Sequence, residues 1–388
     1  MNYLTAQEAA QELDISLPTL YAYVSRGLIR SEETPGKSRA KRYRAEDVAA
    51  LKARKTLRHN PAQAAETALH WGMPVLESQL TLIENGRFYY RGQDVLTLAT
   101  TASFEAVACL LWDEEPEFGN RYAVIGEQGA ALPKMAAFQV ALAQTAVSDL
   151  AAYDLSPVAV AQTGARILWL LTAVAARQPV ETTIAHTLQQ AWLPDRPWAA
   201  DWFNLALVLC ADHELNVSSF TARCVASAGA TPYGVVQAGL AALQGSKHGG
   251  HTERVEALLR EAAAGAETAV VSRLRRGEAI SGFGHRLYPD GDPRGRLLLD
   301  TVQERLGELP VVKLAHELAT AVYQTTGQHP TVDLGLVVMA QALGLPPGTA
   351  LTLFALGRTA GWIGHAIEQY ALDQLIRPRA RYVGRVAR

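Results

Sequence analysis

The chain has 388 residues, of which 49% are hydrophobic and 19% charged, with a mean hydropathy of +0.01. This length and composition allow a large buried core and more than one domain. A run of 18 apolar residues is absent, and the first residues lack the basic and apolar regions of a signal peptide. We therefore expect no membrane span and a cytoplasmic protein.

The three cysteines, Cys109, Cys210 and Cys224, are isolated from one another in the sequence. None belongs to a Cys-x-x-Cys motif, and none has the His/Cys spacing of a metal site. The sequence therefore predicts small buried thiols in a reducing compartment rather than disulfides or metal ligands. We expect no bound metal and no permanently bound cofactor.

The net charge of −2 hides an asymmetry along the chain. Residues 26–58 contain eleven Lys and Arg against four acidic residues, whereas residues 1–25 contain three acids and no Lys or Arg. The rest of the chain is net negative. A basic block next to an acidic body indicates two modules with different partners.

Two short helices are predicted at the start of the chain. Thr5 as N-cap and Glu8 at the capping-box position predict a helix over residues 5–13. After a short turn, Ser16 can cap a second helix that has Pro18 in its first turn and ends near residue 27. Two helices joined by a tight turn are typical of DNA-binding domains.

A basic hairpin over residues 35–43 and a third helix from Ala45 to about Lys55 are predicted next. The amino-acid sequence of residues 1–58 resembles that of the winged helix-turn-helix of MerR-like and excisionase-like proteins. The resemblance implies DNA contact through residues 16–58, and phosphate-directed side chains would make it salt-dependent. The alternative is a solvated basic arm that packs on the body or on a partner subunit. The resemblance is carried by the stretches that begin at Leu4, Leu20 and Arg42.

Residues 59–65 are predicted to be a linker, and residues 66–388 a mostly helical body. Two short strands are expected around Glu84-Asn85-Gly86, because an Asn-Gly pair favours a tight hairpin turn. Elsewhere, apolar residues recur every three or four positions, which is the helical period. The clearest helical stretches are 103–112, 132–151, 157–176, 180–191, 203–210, 217–229, 252–275 and 349–374.

Four short segments of the body contain three histidines and an aspartate, His213, His248, His285 and Asp333. Each lies beside glycine or at a segment edge, where backbone can approach a ligand closely. Arginines that can bind carboxylates through two parallel hydrogen bonds lie nearby in the sequence. This pattern indicates acid/base chemistry on a polyanionic substrate.

From about Leu80 to the end of the chain, the order and the amino-acid sequences of these segments resemble those of the citrate synthase family. The opening stretches that begin at Ile83 and Phe104 share the resemblance. It implies a helical two-domain body, with a large domain over residues 66–225 and 340–388 and a small domain over 226–339.

The resemblance also implies a role for each site residue. His213 would bind oxaloacetate, and His248 would polarise the thioester carbonyl of acetyl-CoA. Asp333 would remove a methyl proton, although it could equally serve as a helix N-cap. His285 would then polarise or protonate the ketone of the oxo acid.

Three arginines match the carboxylate-binding positions of the family. Two nearby stretches differ from the sequence that is common in the family. Arg377 matches an arginine supplied to the neighbouring subunit, so a homodimer with a shared active site is expected. The departures are His251 and Thr252 where Ala-Asn is common, and Leu334 and Gly335 where an aromatic pair is common. The three arginines are Arg294, Arg358 and Arg377.

The function implied is condensation of acetyl-CoA with oxaloacetate and hydrolysis of citryl-CoA to citrate and CoA. One alternative keeps the fold and uses propionyl-CoA to make 2-methylcitrate, since one methylene separates the substrates by only about 1–3 kcal/mol. The other is a DNA-binding regulator whose synthase-like domain senses a ligand.

Overall fold

The computed structural model describes two compact units, Met1–Glu77 and Ser78–Arg388, each with its own core. Its described residues are 3–26, 28–33, 41–45, 47–48, 51, 76–118, 132–380 and 382–385. The predicted linker over residues 59–65 lies outside them.

The first unit has a helix-turn-helix next to a small sheet. Thr5 and Glu8 form the predicted capping box at the start of the first helix, and Ser16 caps the second. The antiparallel sheet has the order β1-β3-β2. The elements are β1 (Tyr3–Leu4), α1 (Ala6–Leu13), α2 (Leu17–Ser25), β2 (Ser31–Glu33) and β3 (Lys41–Arg44).

The predicted hairpin is confirmed by the pairing of β2 with β3, but its tip and most of the third helix lie outside the described residues. Leu13, Leu20 and Tyr43 form part of a small buried core between the helices and the sheet. Burial of these side chains ties α1 and α2 to β3, and so fixes which face of α2 remains exposed.

The second unit opens with the predicted hairpin, β4 (Thr81–Glu84) and β5 (Arg87–Tyr90). Asn85 and Gly86 both have positive φ, 52° and 75°, as a two-residue hairpin turn requires. A short strand, β6 (Gln93–Asp94), completes this sheet.

Helices form the rest of the second unit. They are α3 (Val95–Thr101), α4 (Phe104–Trp112), α5 (Lys134–Ser148), α6 (Pro157–Ala176), α7 (Ile184–Trp192), α8 (Ala199–Cys210), α9 (Val217–Ser227), α10 (Pro232–Leu243), α11 (Gly250–Ala262), α12 (Ala266–Arg275), α13 (Pro293–Leu306), α14 (Pro310–Thr326), α15 (Val332–Ala342) and α16 (Thr349–Leu372). A 3-10 turn, Leu150–Tyr153, lies between α5 and α6.

Two of these helices cross the core. α16 is buried along nearly its whole length, and it packs against α6, α8, α9 and α10. α6 is the one described helix that is long and apolar enough to cross a membrane, but 72% of its apolar window is buried inside the protein. That burial is typical of a core helix.

The structure changes two details of the predicted body. The stretch 252–275 is two helices, because Gly265 at φ 143° separates α11 from α12. α10, which the sequence placed in the small domain, packs instead on α9 and α16. Gly239 of α10 has no Cβ, and one would lie 2.6 Å from the ring of Trp362. The helices from α11 to α15 pack mainly on one another, so the remaining division into large and small domains stays a prediction.

Candidate functional site

A pair of backbone contacts brings the loop before α13 to the start of α15. The Gly284 N–H donates to His329 O at 2.9 Å, and the Thr331 N–H donates to Gly282 O at 2.9 Å. Gly282 and Gly284 have positive φ, 86° and 75° respectively, so this loop can turn tightly beside the segment that precedes α15. His285 follows this loop directly, and it therefore lies close to the first turn of α15.

A buried ion pair lies at the start of α13. Asp292 caps the helix and binds Arg294 through two hydrogen bonds of 2.9 Å, to Nε and Nη2. The second carboxylate oxygen also accepts the N–H of Val332 at 3.0 Å, which joins α13 to α15. Burial alone would raise the pKa of Asp292, but Arg294 outweighs it and holds that pKa below its ordinary range.

Two histidines and a tyrosine form an aromatic cluster beside this ion pair. The rings of His213 and His285 meet edge to face with centroids 5.2 Å apart. Nε2 of His213 lies 2.9 Å from the hydroxyl of Tyr288, and Arg294 lies over the tyrosine ring at 5.6 Å. The cluster therefore connects α8, which ends just before His213, with the start of α13.

His285 has a defined tautomer. Its Nδ1 accepts the N–H of Leu287 at 3.2 Å, so a neutral ring carries its proton on Nε2. Burial, and then the positive charge of Arg294, lower the pKa of His285 to about 4. A neutral Nε2–H is therefore available at pH 7 as a hydrogen-bond donor to a carbonyl.

His248 lies in the turn before α11 and is also held neutral. Burial, followed by Arg358 and His251, lowers the pKa of His248 to about 4. Its Nε2 lies 2.8 Å from the hydroxyl of Ser218, which in turn lies 2.7 Å from the side-chain oxygen of Asn216. The Ser218 hydroxyl donates its single hydrogen to Asn216, so the neutral imidazole of His248 donates Nε2–H to Ser218 and carries no proton on Nδ1. Turning this hydroxyl toward His248 would move the imidazole proton to Nδ1, where it can reach a ligand.

Asp333 lies in the first turn of α15 beside several charged groups. Its nearest hydrogen-bond partner is the hydroxyl of Thr331, which donates to Oδ2 at 3.3 Å. Burial, with the nearby Asp292, raises the pKa of Asp333, although His251 and Arg294 oppose the rise. Thr331, not Asp333, is the N-cap of α15, so the capping role is excluded for Asp333. A carboxylate with a raised pKa is a stronger base.

Arg358 projects from α16 into the same site and is 1% exposed. Its Nε donates to the Cys210 carbonyl at 2.8 Å, while its buried Nη2 has no hydrogen-bond partner among the described residues. A buried donor without a partner costs free energy, so a ligand that accepts from it gains binding energy. Its charge also lowers the pKa of His213 and of His248, after burial as the main cause.

Six of the seven predicted residues are linked in this way, but Arg377 is not. It is exposed in the extended segment after α16, and no described contact joins it to the other six. The two residues near His248 that differ from those common in the family, His251 and Thr252, are both at least partly buried. Thr252 is buried and donates to the Gly249 carbonyl at 2.9 Å, and His251 is partly buried.

Sequence reasoning missed four residues that hold the site. Asp292 stands two residues before Arg294, and that spacing could have suggested the pair. Ser218 and Tyr288 contact residues 30 and 75 positions away in the chain, and Thr331 contacts Gly282 through its backbone. Local sequence spacing does not predict contacts of this kind. The four are Ser218, Tyr288, Asp292 and Thr331.

The buried Asp292–Arg294 pair gives a stability prediction. We expect Asp292→Asn to lower the free energy of unfolding by about 3–5 kcal/mol at pH 7, because it leaves a buried guanidinium uncompensated. The folded-state pKa of Asp292 is lowered, so its contribution is present above the unfolded pKa of about 3.9 and is lost as pH falls through the folded pKa. Urea unfolding at several pH values checks this, with the exposed Asp113→Asn as control. A constant difference between wild type and Asp292→Asn down to about pH 2 would contradict it.

Comparison with known proteins identifies both parts of the chain. Residues 68–379 match the family described as citrate synthase, C-terminal domain, and residues 3–56 match a helix-turn-helix domain. The citrate synthase of Haloferax volcanii is 30% identical over 358 residues, which cover 81% of this chain and 94% of the relative. A citrate/2-methylcitrate synthase of Bacillus subtilis is 34% identical over 188 residues, 47% of this chain and 50% of the relative.

A solved structure gives the same result for the fold. The citrate synthase of Thermoplasma acidophilum, in a ternary complex with carboxymethyl coenzyme A and oxaloacetate, aligns with a TM-score of 0.65 at 25% identity. The alignment covers 81% of this chain and 95% of that one. The mostly helical fold and the helix-turn-helix are thus confirmed: the chain belongs to the citrate synthase family and has an N-terminal helix-turn-helix domain.

Proposed function

We propose that the protein condenses acetyl-CoA with oxaloacetate and hydrolyses the citryl thioester to citrate and CoA. The observation that carries the proposal is the buried, unpartnered Nη2 of Arg358, in a site with a second guanidinium and neutral histidines. A small dicarboxylate supplies the acceptors that such a site lacks. No permanently bound cofactor enters this chemistry, and acetyl-CoA is a co-substrate. A cytoplasmic location is part of the proposal.

The described side chains support a division of the chemistry. The Ser218 hydroxyl turns from Asn216 to Nε2 of His248, so that the imidazole proton lies on Nδ1. Asp333 then removes a proton from the acetyl methyl group while Nδ1–H of His248 donates to the thioester oxygen that becomes the enol. The enol carbon attacks the ketone carbon of oxaloacetate, and Nε2–H of His285 donates to the oxygen that becomes a hydroxyl. His213, Arg294 and Arg358 hold the oxo acid. Water then cleaves the thioester and releases CoA.

The first test is a steady-state assay of thiol release. Wild type should release thiol only when both substrates are present, and Asp333→Ala should lower kcat by about 10²–10⁴-fold because the base is lost. Asp300→Ala, an exposed aspartate of α13, is the matched control and should keep full activity. Full activity of Asp333→Ala would contradict the assigned base.

Propionyl-CoA is the alternative acyl substrate, which would make the product 2-methylcitrate. The Bacillus subtilis relative whose name includes both products supports keeping this alternative. Comparing kcat/KM for acetyl-CoA and propionyl-CoA in the same assay decides between them.

We also propose a homodimer in which Arg377 serves the neighbouring site. Exposed apolar side chains between the end of α5 and the start of α6, and others in the C-terminal segment, support an interface. Arg377 lies in that C-terminal segment, which extends away from the end of α16. The apolar residues are Val147, Leu150, Tyr153, Val158, Leu375, Tyr382 and Val383.

Mixing two inactive variants tests the shared site. Arg377→Ala and Asp333→Ala should each be nearly inactive alone. After exchange of subunits, half of the dimers are mixed and have one intact site, so about a quarter of wild-type activity should return. Arg379→Ala mixed with Asp333→Ala is the control, and an Arg377→Ala mixture that stays inactive would contradict a shared site.

A second function, DNA binding, is favoured by the helix-turn-helix. α2 leaves Leu17 and Tyr21 exposed, and Arg26 and Lys41 are exposed as well. Part of the basic block is neutralised within the unit, since Arg30 pairs with Asp47 at 2.8 Å and both Arg42 and Arg44 pair with Glu32. The remaining basic residues of the block lie outside the described residues.

Fluorescence anisotropy with a labelled random-sequence duplex tests this second function. Binding should weaken steeply between about 50 and 200 mM salt, because phosphate contacts release counterions. Arg26→Glu should weaken it further, whereas Arg275→Glu on the exposed end of α12 should not. Absent or salt-insensitive binding would count against DNA contact.

A further inference from the structure

Two buried ionisable side chains behind the site take no part in the proposed chemistry. Asp212 and His365 are both 0% exposed, and Nε2 of His365 lies 3.2 Å from Oδ1 of Asp212. The two atoms are not aligned for a hydrogen bond, so their contact is electrostatic. Asp212 directly precedes His213, and His365 lies two helical turns after Arg358 on α16.

The segment that ends in Asp212 is packed unusually close to α16. A Cβ on Gly357 would lie 2.6 Å from Leu207 O, and one on Gly361 would lie 2.4 Å from Ala211 O. The Gly361 N–H donates to that same Ala211 oxygen at 2.9 Å. Glycine at these two positions is therefore what lets the backbone before His213 lie against the helix that carries Arg358.

Besides its contact with His365, Asp212 makes hydrogen bonds with Thr81 and Tyr90. The Thr81 hydroxyl donates to Oδ2 at 2.6 Å, and the Asp212 N–H donates to the hydroxyl of Tyr90 at 3.0 Å. Burial would raise the pKa of Asp212, but His365, Arg358 and Thr81 outweigh it and lower that pKa, so the buried group is a carboxylate at neutral pH. Its charge also lies close enough to Arg358 to act on that guanidinium.

His365 lies between two carboxylates. Its Nδ1 is 3.9 Å from Glu368, which accepts from Arg223 at 3.0 Å and from the backbone N–H of Gln79 at 2.6 Å. The imidazole therefore lies between the carboxylate next to His213 and the anchored carboxylate near the end of α16.

We propose that Asp212 and His365 form a positioning pair that fixes the separation between His213 and Arg358, and so sets the affinity for the oxo acid. The inference rests on the proposed function, because it assigns both ligands to oxaloacetate. Neither side chain of the pair touches substrate. Loss of the pair should therefore weaken binding of oxaloacetate and not of acetyl-CoA. Loss of a merely structural contact would instead lower stability and affect the binding of both substrates alike.

The test compares His365→Leu with His365→Gln, whose amide keeps a polar N–H group beside Asp212. We measure the oxaloacetate Kd by thermal shift and both KM values by thiol release. His365→Leu should raise the Kd and KM for oxaloacetate by about 10-fold or more, since small displacements of binding groups are costly. The KM for acetyl-CoA should stay within about 2-fold, and His365→Gln should restore most of the oxaloacetate affinity.

A second variant and a control make the result decisive. Thr81→Val removes one hydrogen bond from the same carboxylate, so it should show a smaller selective effect even if His365→Leu does not fold. Glu105→Gln alters a different buried carboxyl, which accepts the Ile184 N–H at 2.7 Å, and it should change stability but neither KM.

The outcomes separate the two claims. If wild type binds oxaloacetate and the folded variants bind it equally well, or if both KM values rise together, the positioning pair is overturned while the proposed function stands. If wild type neither binds oxaloacetate nor releases thiol, the proposed function is overturned, and the inference with it.

Discussion

Burial of positive charge is the constraint on which the site depends. Arg294 and Arg358 are 2% and 1% exposed, and a buried ion is expensive unless it is compensated. Arg294 has its counter-ion in Asp292, which also caps α13 and binds the start of α15. Arg358 donates to the carbonyl of Cys210 and lies near the more distant charge of Asp212, but its Nη2 has no partner in the described part of the chain. The difference between the two arginines explains why the site favours an anionic ligand.

The same charges decide the protonation of the histidines. Burial lowers the pKa of His213, His248 and His285, and the nearby guanidinium groups lower each further. Neutral imidazoles can donate a hydrogen bond to a carbonyl without adding more positive charge to a buried site. Asp333 shifts in the opposite direction, because burial raises the pKa of a carboxyl. One environment therefore supports both a base and neutral donors.

Local chemistry in the sequence predicted the elements that depend on neighbours in the chain. The capping box at Thr5 and the turn at Asn85-Gly86 both form as their residue types require. Six residues that the motifs singled out also lie in one region of the structure, and their roles in catalysis stay predictions. The division of 252–275 was missed, because a helical period continues across Gly265.

Interactions between distant segments could not be predicted in the same way. The contact of His248 with Ser218 joins residues 30 apart, and that of Tyr288 with His213 joins residues 75 apart. The packing of α10 on α16 depends on Gly239 facing Trp362, which no local pattern reveals. The pair of Asp212 with His365 likewise depends on two glycines of α16 that are ordinary helix residues in the sequence. Tertiary packing, not local preference, decides all four.

The central claim is that Nη2 of Arg358, which has no hydrogen-bond partner among the described residues, binds a carboxylate of the substrate. Isothermal titration of oxaloacetate into wild type and Arg358→Gln tests it most directly. The variant should lose about 2–5 kcal/mol of binding free energy, because the ligand carboxylate loses a buried charged partner. Its stability without ligand should fall by less, since the wild-type guanidinium is incompletely compensated. Equal affinity of the two proteins for oxaloacetate would contradict the account.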